Sequence, residues 1–243
     1  MKRALTVEQI AFARSLVIHE DAEVLALNKP AGLSTQGGRI AAPTLDDLLA
    51  AFAKKSGVRP RLVHRLDRAT SGVILAARSQ PAAAFLGRAM MAGRIHKTYL
   101  AIVAPGPPEP PAGKIEAPLR RESVGREAYT RAVEAGEAGG QPAVTLYRTL
   151  SSSETAAVVE LRPLTGRMHQ LRVDLAHLGW PVAGDPRYGG ALSLAGAPAP
   201  RLMLHARRLR FPHPLGGTVT VEAPAPEDFR SLAGALALDI VET

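Results

Sequence analysis

At 243 residues with 46% apolar and 21% charged side chains, the chain has material for one large core or two smaller ones and is too apolar for wholesale disorder. The absence of cysteine excludes a disulfide framework, thiolate metal ligands and a cysteine nucleophile. Thirty Lys+Arg against 22 Asp+Glu leave a net charge of +8, which suits a polyanionic partner, although arginine-rich usage also follows from a G+C-rich genome and does not decide the matter alone.

Thr6 with Gln9 forms a capping-box pattern that opens a short helix to about Leu16. Its segment contains Glu8 and lacks a signal-peptide apolar region, and no apolar stretch reaches the ~18 residues of a membrane span, so a cytoplasmic location without membrane contact is expected. Residues 16–19 and 23–27 read as a hairpin, broken at Asn28-Lys29-Pro30-Ala31-Gly32 and followed by a polar, Gly-rich loop at 34–38. Thr44 caps a helix whose Leu45, Leu48, Leu49 and Phe52 share one face. Residues 73–77 read as a buried strand, Ser79 caps a helix ending near Gly93, and 98–103 is a strand. Five prolines in 105–113 mark a linker or extended surface loop. Strands follow near 128–133, 143–150 and 156–161, then a helix at 169–178 with Leu171, Leu175 and Leu178 as its apolar stripe and a stop at Gly179. After a loop at 189–200 come strands near 203–211 and 218–222 and a last helix near 226–236. Strands outnumber helices and often succeed one another directly, so the fold class is α+β with a largely antiparallel or mixed sheet. The expected organisation is an N-terminal extension at 1–27, a main domain at 28–222 with its surface linker at about 104–114, and a C-terminal helix at 223–243 belonging to the same domain.

The densest chemistry lies in 63–78. Asp67 stands among His64, Arg65 and Arg68 and leads through Thr70-Ser71-Gly72 into the apolar strand. A carboxylate in a basic loop that feeds a core strand is held rigidly enough for catalysis, and it reads equally as a turn cap or as the ion-pair partner of Arg65 or Arg68. Arg59, Arg61 and Arg78 extend this basic group; a second comprises Arg162, Arg167 and Arg172, and a third Arg201, Arg207, Arg208 and Arg210. Tyr99 is a core or edge-strand aromatic, or, beside Lys97, a ring that stacks on a base. Arg172 shares a helix face with His169 and is either a solvated charge or a functional cation. The histidines show no metal-ligand spacing, Ser71 has no Gly-x-Ser-x-Gly context, and nucleotide-binding glycine loops are absent, so neither metal nor cofactor is expected.

Five blocks in order resemble the RluA-type RNA pseudouridine synthases. They are Asn28-Lys29-Pro30-Ala31-Gly32-Leu33; His64-Arg65-Leu66-Asp67 with Thr70-Ser71-Gly72; Lys97-Thr98-Tyr99-Leu100-Ala101; Gly166-Arg167 and His169-Gln170-Leu171-Arg172 on to Gly184-Asp185 and Tyr188-Gly189; and Leu204-His205-Ala206 with Phe211-Pro212-His213-Pro214. The resemblance implies the pseudouridine synthase catalytic fold, with its active-site cleft across the sheet. It also implies a cofactor-free isomerase that detaches the uracil of a uridine from N1, rotates it and rejoins it through C5. On that resemblance Asp67 is the catalytic carboxylate, attacking covalently or abstracting a sugar proton, with Arg172 as its basic partner and Tyr99 as the ring against the uracil. Arg65 is the wedge that fills the space of the displaced base. His64, Arg68, Lys97, Arg167, His169, Leu171, Asn28 and Lys29 are expected around the substrate and its RNA, while His205 and Gly184-Asp185 are expected to pack and pin loops.

Gln36-Gly37-Gly38 replaces a frequent His-Pro-Gly segment, and Asp174 and Trp180 stand where His is frequent. The 27 residues before Asn28 are too few for the S4 RNA-binding domain common in the family, so the arginine groups of the catalytic domain are expected to grip the RNA. The expected partner is a stem-loop of ribosomal or transfer RNA, with no obligatory protein partner and a monomeric state. A non-catalytic RNA-binding protein and a metal-dependent nuclease or hydrolase are the alternatives. The first would be signalled by loss of Asp67, Tyr99 or Arg172, all present, and the second by sensitivity to a chelator.

Overall fold

The computed structural model describes residues 4–37, 43–54, 56–125, 127–194 and 196–240. Gly38 of the expected loop, and residues 1–3 and 241–243 of the expected terminal segments, lie outside them. In chain order the elements are α1 (Val7–Ser15), β1 (Val17–Glu20), β2 (Val24–Lys29), α2 (Leu45–Leu48) continued by a 3-10 turn (Leu49–Phe52), β3 (Arg61–Leu62), β4 (Ser71–Ala77), α3 (Gln80–Met91), β5 (His96–Val103) and β6 (Ala112–Glu116). There follow β7 (Leu119–Val124), β8 (Glu127–Ala132), β9 (Val144–Ser152), β10 (Ala157–Pro163), α4 (Gln170–His177), β11 (Ser193–Leu194), β12 (Ala197–Pro198), β13 (Leu204–Pro212), β14 (Thr218–Glu222) and α5 (Glu227–Ala235). The fold is α+β on largely antiparallel strand pairing, and the chain divides into two compact units.

The first unit comprises Met1–His96 with Ala206–Pro224. β2 pairs antiparallel with β1 and β4, β3 pairs with the far end of β4, and β14 pairs with β13. Every side chain of β4 is buried, so the strand reads as an unbroken apolar run rather than an alternation. Val73, Leu75 and Ala77, alternate residues on one face of β4, pack with Ala82, Leu86 and Ala89 of α3 and with Leu209 and Phe211. The α3 residues recur at helical spacing, which is why this helix lies along the sheet. α1 starts where the capping box places it: Gln9 N–H donates to Thr6 Oγ1 at 3.3 Å, and Thr6 N–H donates to Gln9 Oε1 at 3.0 Å. Thr44 uses Asp47 in the same way for α2.

The second unit comprises Lys97–His205 with Ala225–Thr243. Its strand order is β5-β10-β9-β6, all antiparallel, with Tyr99 opposite Leu161. β7 and β8 form a separate hairpin. α4 packs against β8 and β10, and Val173 joins Leu119, Ala143 and Tyr188 in a small cluster. Residues Gln170 through Leu175 of α4 are all buried, so the helix is not the one-sided amphipath its leucine stripe suggested. The segment expected as a linker is shorter than its composition implied. β6 begins inside it at Ala112 and pairs with β9, and Tyr147 donates its hydroxyl to Pro110 O at 3.1 Å.

Candidate functional site

The loop that carries Asp67 is fixed from several sides. Thr35 donates its hydroxyl to Leu66 O at 2.6 Å and accepts from Leu66 N–H at 3.2 Å, so one side chain satisfies both backbone groups of the residue before Asp67. Thr70 N–H closes the turn onto Asp67 O at 3.1 Å. Arg68 O accepts from Gly32 N–H at 2.8 Å, and Arg68 Nε donates to Gly32 O at 2.9 Å. Gly72 has φ +112, and a Cβ there would stand 2.2 Å from Ala206 O, so only glycine lets the chain turn from the loop into β4. Asp67 is half-buried between exposed Arg65 and Arg68.

Two residues expected around the substrate brace this unit. Lys29 is 0% exposed, and its ammonium donates to Pro30 O at 3.0 Å, Leu33 O at 2.9 Å and Arg68 O at 3.2 Å. A fully buried ammonium directed at three carbonyls has no surface to offer a phosphate, so Lys29 closes the loop rather than touching RNA. His64 Nε2 accepts from Leu75 N–H at 3.1 Å, tying the segment before Asp67 to β4. Asn28, half-buried, is a β2 residue opposite Val73.

In the second unit the chemistry centres on Arg172. Its Nε donates to Asp185 Oδ2 at 2.7 Å and its Nη2 to Asp185 Oδ1 at 2.8 Å, a bidentate pair in which Arg172 is 8% and Asp185 0% exposed. Arg187 and Tyr188 N–H add 2.9 and 3.2 Å bonds to Asp185 Oδ1. Burial by itself would raise the Asp185 pKa, but the guanidinium and the two amides outweigh it and hold the carboxyl below its ordinary range. The Tyr188 ring lies 5.0 Å from the guanidinium carbon, and its hydroxyl is 2.8 Å from His169 Nδ1 while accepting from Thr130 N–H at 3.1 Å. Burial, the largest influence on Tyr188, raises its pKa, so the hydroxyl keeps its proton. His169 itself holds a left-handed φ of 55, an uncommon conformation for a non-glycine residue that places it ahead of α4 rather than within it. It therefore does not share a helix face with Arg172.

The start of α4 is pinned by Gln170. Its Oε1 accepts from Thr165 Oγ1 at 2.9 Å and Arg167 N–H at 3.0 Å, and its Nε2 donates to Val144 O at 3.1 Å and Thr145 Oγ1 at 3.0 Å. Thr145 in turn donates to Asp174 Oδ2 at 2.6 Å, while buried Asp174 Oδ1 has no hydrogen-bond partner among the described residues. Desolvation raises the Asp174 pKa to about 6, against the Thr145 and Gln170 hydrogen bonds. Tyr99 is buried within β5 at 9% exposure, and Leu171 is buried in α4. Lys97 reaches the turn before α4, its Nζ 3.8 Å from where a Cβ on Gly166 would stand, and burial holds its ammonium pKa below the ordinary value. Arg167 is exposed and donates Nε to Pro142 O at 3.0 Å.

The arginine groups read as RNA patches serve internal pairing more than expected. Arg201 makes a bidentate pair with Asp228 at 2.6 and 2.8 Å, Arg207 and Arg208 both face Glu222, and Arg162 meets Glu160 at 2.8 Å. Charge counted along a sequence overstates what is left for a partner because carboxylates distant in the chain fold against it. The sequence also left Asp185, Tyr188, Gln170 and Asp174 without a chemical role. Gly184-Asp185 and Tyr188-Gly189 were visible as a motif, but the partner of that carboxylate was not.

Residues 23–177 match the family model described as RNA pseudouridylate synthase. The chain is 36% identical over 241 residues to the ribosomal large subunit pseudouridine synthase D of Xanthomonas campestris, covering 92% of this chain and 70% of that protein. It is 38% identical over 217 residues to an uncharacterized RNA pseudouridine synthase of Zymomonas mobilis, covering 89% and 96%. Among solved structures it resembles the human RNA pseudouridylate synthase domain containing 4, with a TM-score of 0.81, 28% identity and coverage of 97% and 99%.

Proposed function

This chain belongs to the RluA-type RNA pseudouridine synthases, isomerases that act on RNA, and we propose that it isomerises uridines of large-subunit ribosomal RNA with Asp67 as its catalytic carboxylate. The observation that carries the reading is the loop around Asp67, where Thr35, Lys29, Arg68 and Gly72 hold a half-buried carboxylate at the entrance to a fully buried strand. A nucleophile or base must keep one position while the base is moved, and this bracing supports that demand. The reaction breaks the bond between the sugar C1′ and uracil N1, turns the uracil, and joins C1′ to C5; the proton leaving C5 balances the one gained at N1, so no oxidant, reductant or second substrate enters.

Tyr99 and Arg172 take the other two catalytic roles on the family resemblance. The held orientation of the Arg172 guanidinium supports a part that needs a fixed cation rather than a mobile one. Arg65, exposed two residues before Asp67, has the reach for the wedge position. The ribosomal substrate rests on the name of the Xanthomonas relative. Mapping pseudouridines in RNA from cells with and without this gene tests it. One or more large-subunit ribosomal sites should lose the modification in the deleted strain; loss confined to transfer RNA would overturn the ribosomal reading.

A further inference from the structure

Four cations of the first unit converge on a recess of about 380 Å³ that has no part in the chemistry above. Lys54, Arg59, Arg61 and Arg78 line it, together with Ser79 and Gln80 at the start of α3. Two of the four are partly committed. Arg59 donates to Asp46 O at 2.9 Å and meets the Asp46 carboxylate at 3.3 Å, while Arg78 pairs with Glu20. Lys54 and Arg61 are exposed and, among the described residues, have no carboxylate partner. Ser79 caps α3 through Ala82 N–H at 3.1 Å and donates to Glu23 at 2.6 Å. Asp46 and Glu20 offset Arg59 and Arg78, with Arg14 sharing Glu20 from 3.4 Å, so the surplus charge of the recess sits on Lys54 and Arg61. α3 carries no acid in its first turn, so the positive end of a 12-residue helix adds to the same field.

The position of the recess matters as much as its charge. Arg61 stands opposite Ala77 at the far end of β4, while the Asp67 loop enters β4 at Ser71. Six residues of strand at ~3.3 Å each put the two about 20 Å apart along one rigid element. That distance spans several nucleotides of an RNA strand.

We propose that this recess is a phosphate subsite that grips the backbone of the substrate RNA at a distance from the target uridine. The proposal rests on the reading of RNA as the substrate. Guanidinium forks match phosphate oxygens, and Lys54 and Arg61 break no ion pair with a described carboxylate when they turn toward one. Contacts of this kind position the RNA without reading its sequence. They would supply grip that the arginines paired with Asp228, Glu222 and Glu160 cannot.

The test compares wild type with the double variant Lys54→Gln/Arg61→Gln on an unmodified large-subunit ribosomal RNA transcript, over a range of KCl concentrations. Both side chains are exposed, so the urea midpoint should not move. The expected result is a log–log salt slope shallower by about one to two, from the loss of one or two phosphate contacts, and a KM for pseudouridine formation raised about tenfold or more with kcat nearly retained. A folded variant with the wild-type slope and KM overturns the subsite while leaving the RNA reading intact. A wild type that neither binds nor modifies the transcript overturns that reading and the subsite with it.

Discussion

Asp185 illustrates how one side chain can decide the state of another. Its carboxylate is fully buried and receives four hydrogen bonds, two of them from Arg172. Removing it strands a buried guanidinium, so Asp185→Ala should lower the unfolding free energy by about 3–5 kcal/mol, read by urea titration. Replacing both partners, as Arg172→Met/Asp185→Leu, should cost much less than that, because no buried charge is left alone. If Arg172 is catalytic, the double variant should nevertheless be inactive. Recovery of stability without recovery of turnover therefore separates the structural part of the pair from its chemical part. Asp185 was legible as a loop-pinning residue, but its pairing with Arg172, which reads from sequence as a solvated or a functional cation, was not. The desolvation of Arg172 is a property of the packing around α4, and a charged residue at helical spacing does not announce which way that packing falls.

At the scale of elements, α4 is the informative case. Its leucine spacing located the helix to within a residue, yet Gln170, Arg172 and Asp174 are buried alongside Leu171, Val173 and Leu175. Polar residues enter this core because Thr145, Thr165 and the backbone of Val144 are there to satisfy them. Asp174 is the incompletely satisfied member, and its pKa is raised to about 6 from an ordinary 3.8. The folded state therefore binds the proton more tightly than the unfolded chain. The stability this contributes is fully present below about pH 4 and is lost as pH rises through about 6. At pH 5 the wild type should accordingly be more stable than at pH 8, by about 1 kcal/mol from this residue alone. Asp174→Asn should flatten that part of the profile, which thermal melts at the two pH values would show; an unchanged profile would mean the carboxyl titrates normally. Elsewhere the elements with strong local signals, such as the capping boxes at Thr6 and Thr44 and the apolar run of β4, appear where the sequence placed them. β6 and β7 did not, since neither Ala-Gly-Lys-Ile-Glu nor Leu-Arg-Arg-Glu-Ser-Val alternates clearly and both owe their strand form to their neighbours β9 and β8.

For the whole molecule, the net charge of +8 pointed to a polyanion before any residue was assigned. The structure narrows that charge by pairing Arg201, Arg207, Arg208 and Arg172 internally, while Lys54 and Arg61 in the recess have no carboxylate partner among the described residues. The bracing of the Asp67 loop was partly legible, because the motif glycine Gly72 stands where Ala206 leaves no room for a Cβ, whereas nothing in the sequence marked Thr35 as the residue that satisfies both backbone groups of Leu66. Lys29, in the Asn28–Leu33 block, is turned inward onto three carbonyls, since a motif marks that a residue is needed and not which way it faces. Asp67 is the residue on which the chemistry turns. Purified wild type and Asp67→Ala should be given the same unmodified large-subunit ribosomal RNA transcript and pseudouridine counted over time. Asp67→Ala should lose turnover by about 10³-fold or more while keeping the wild-type urea midpoint and RNA affinity. A folded, RNA-binding Asp67→Ala that forms pseudouridine at a rate near wild type would contradict it.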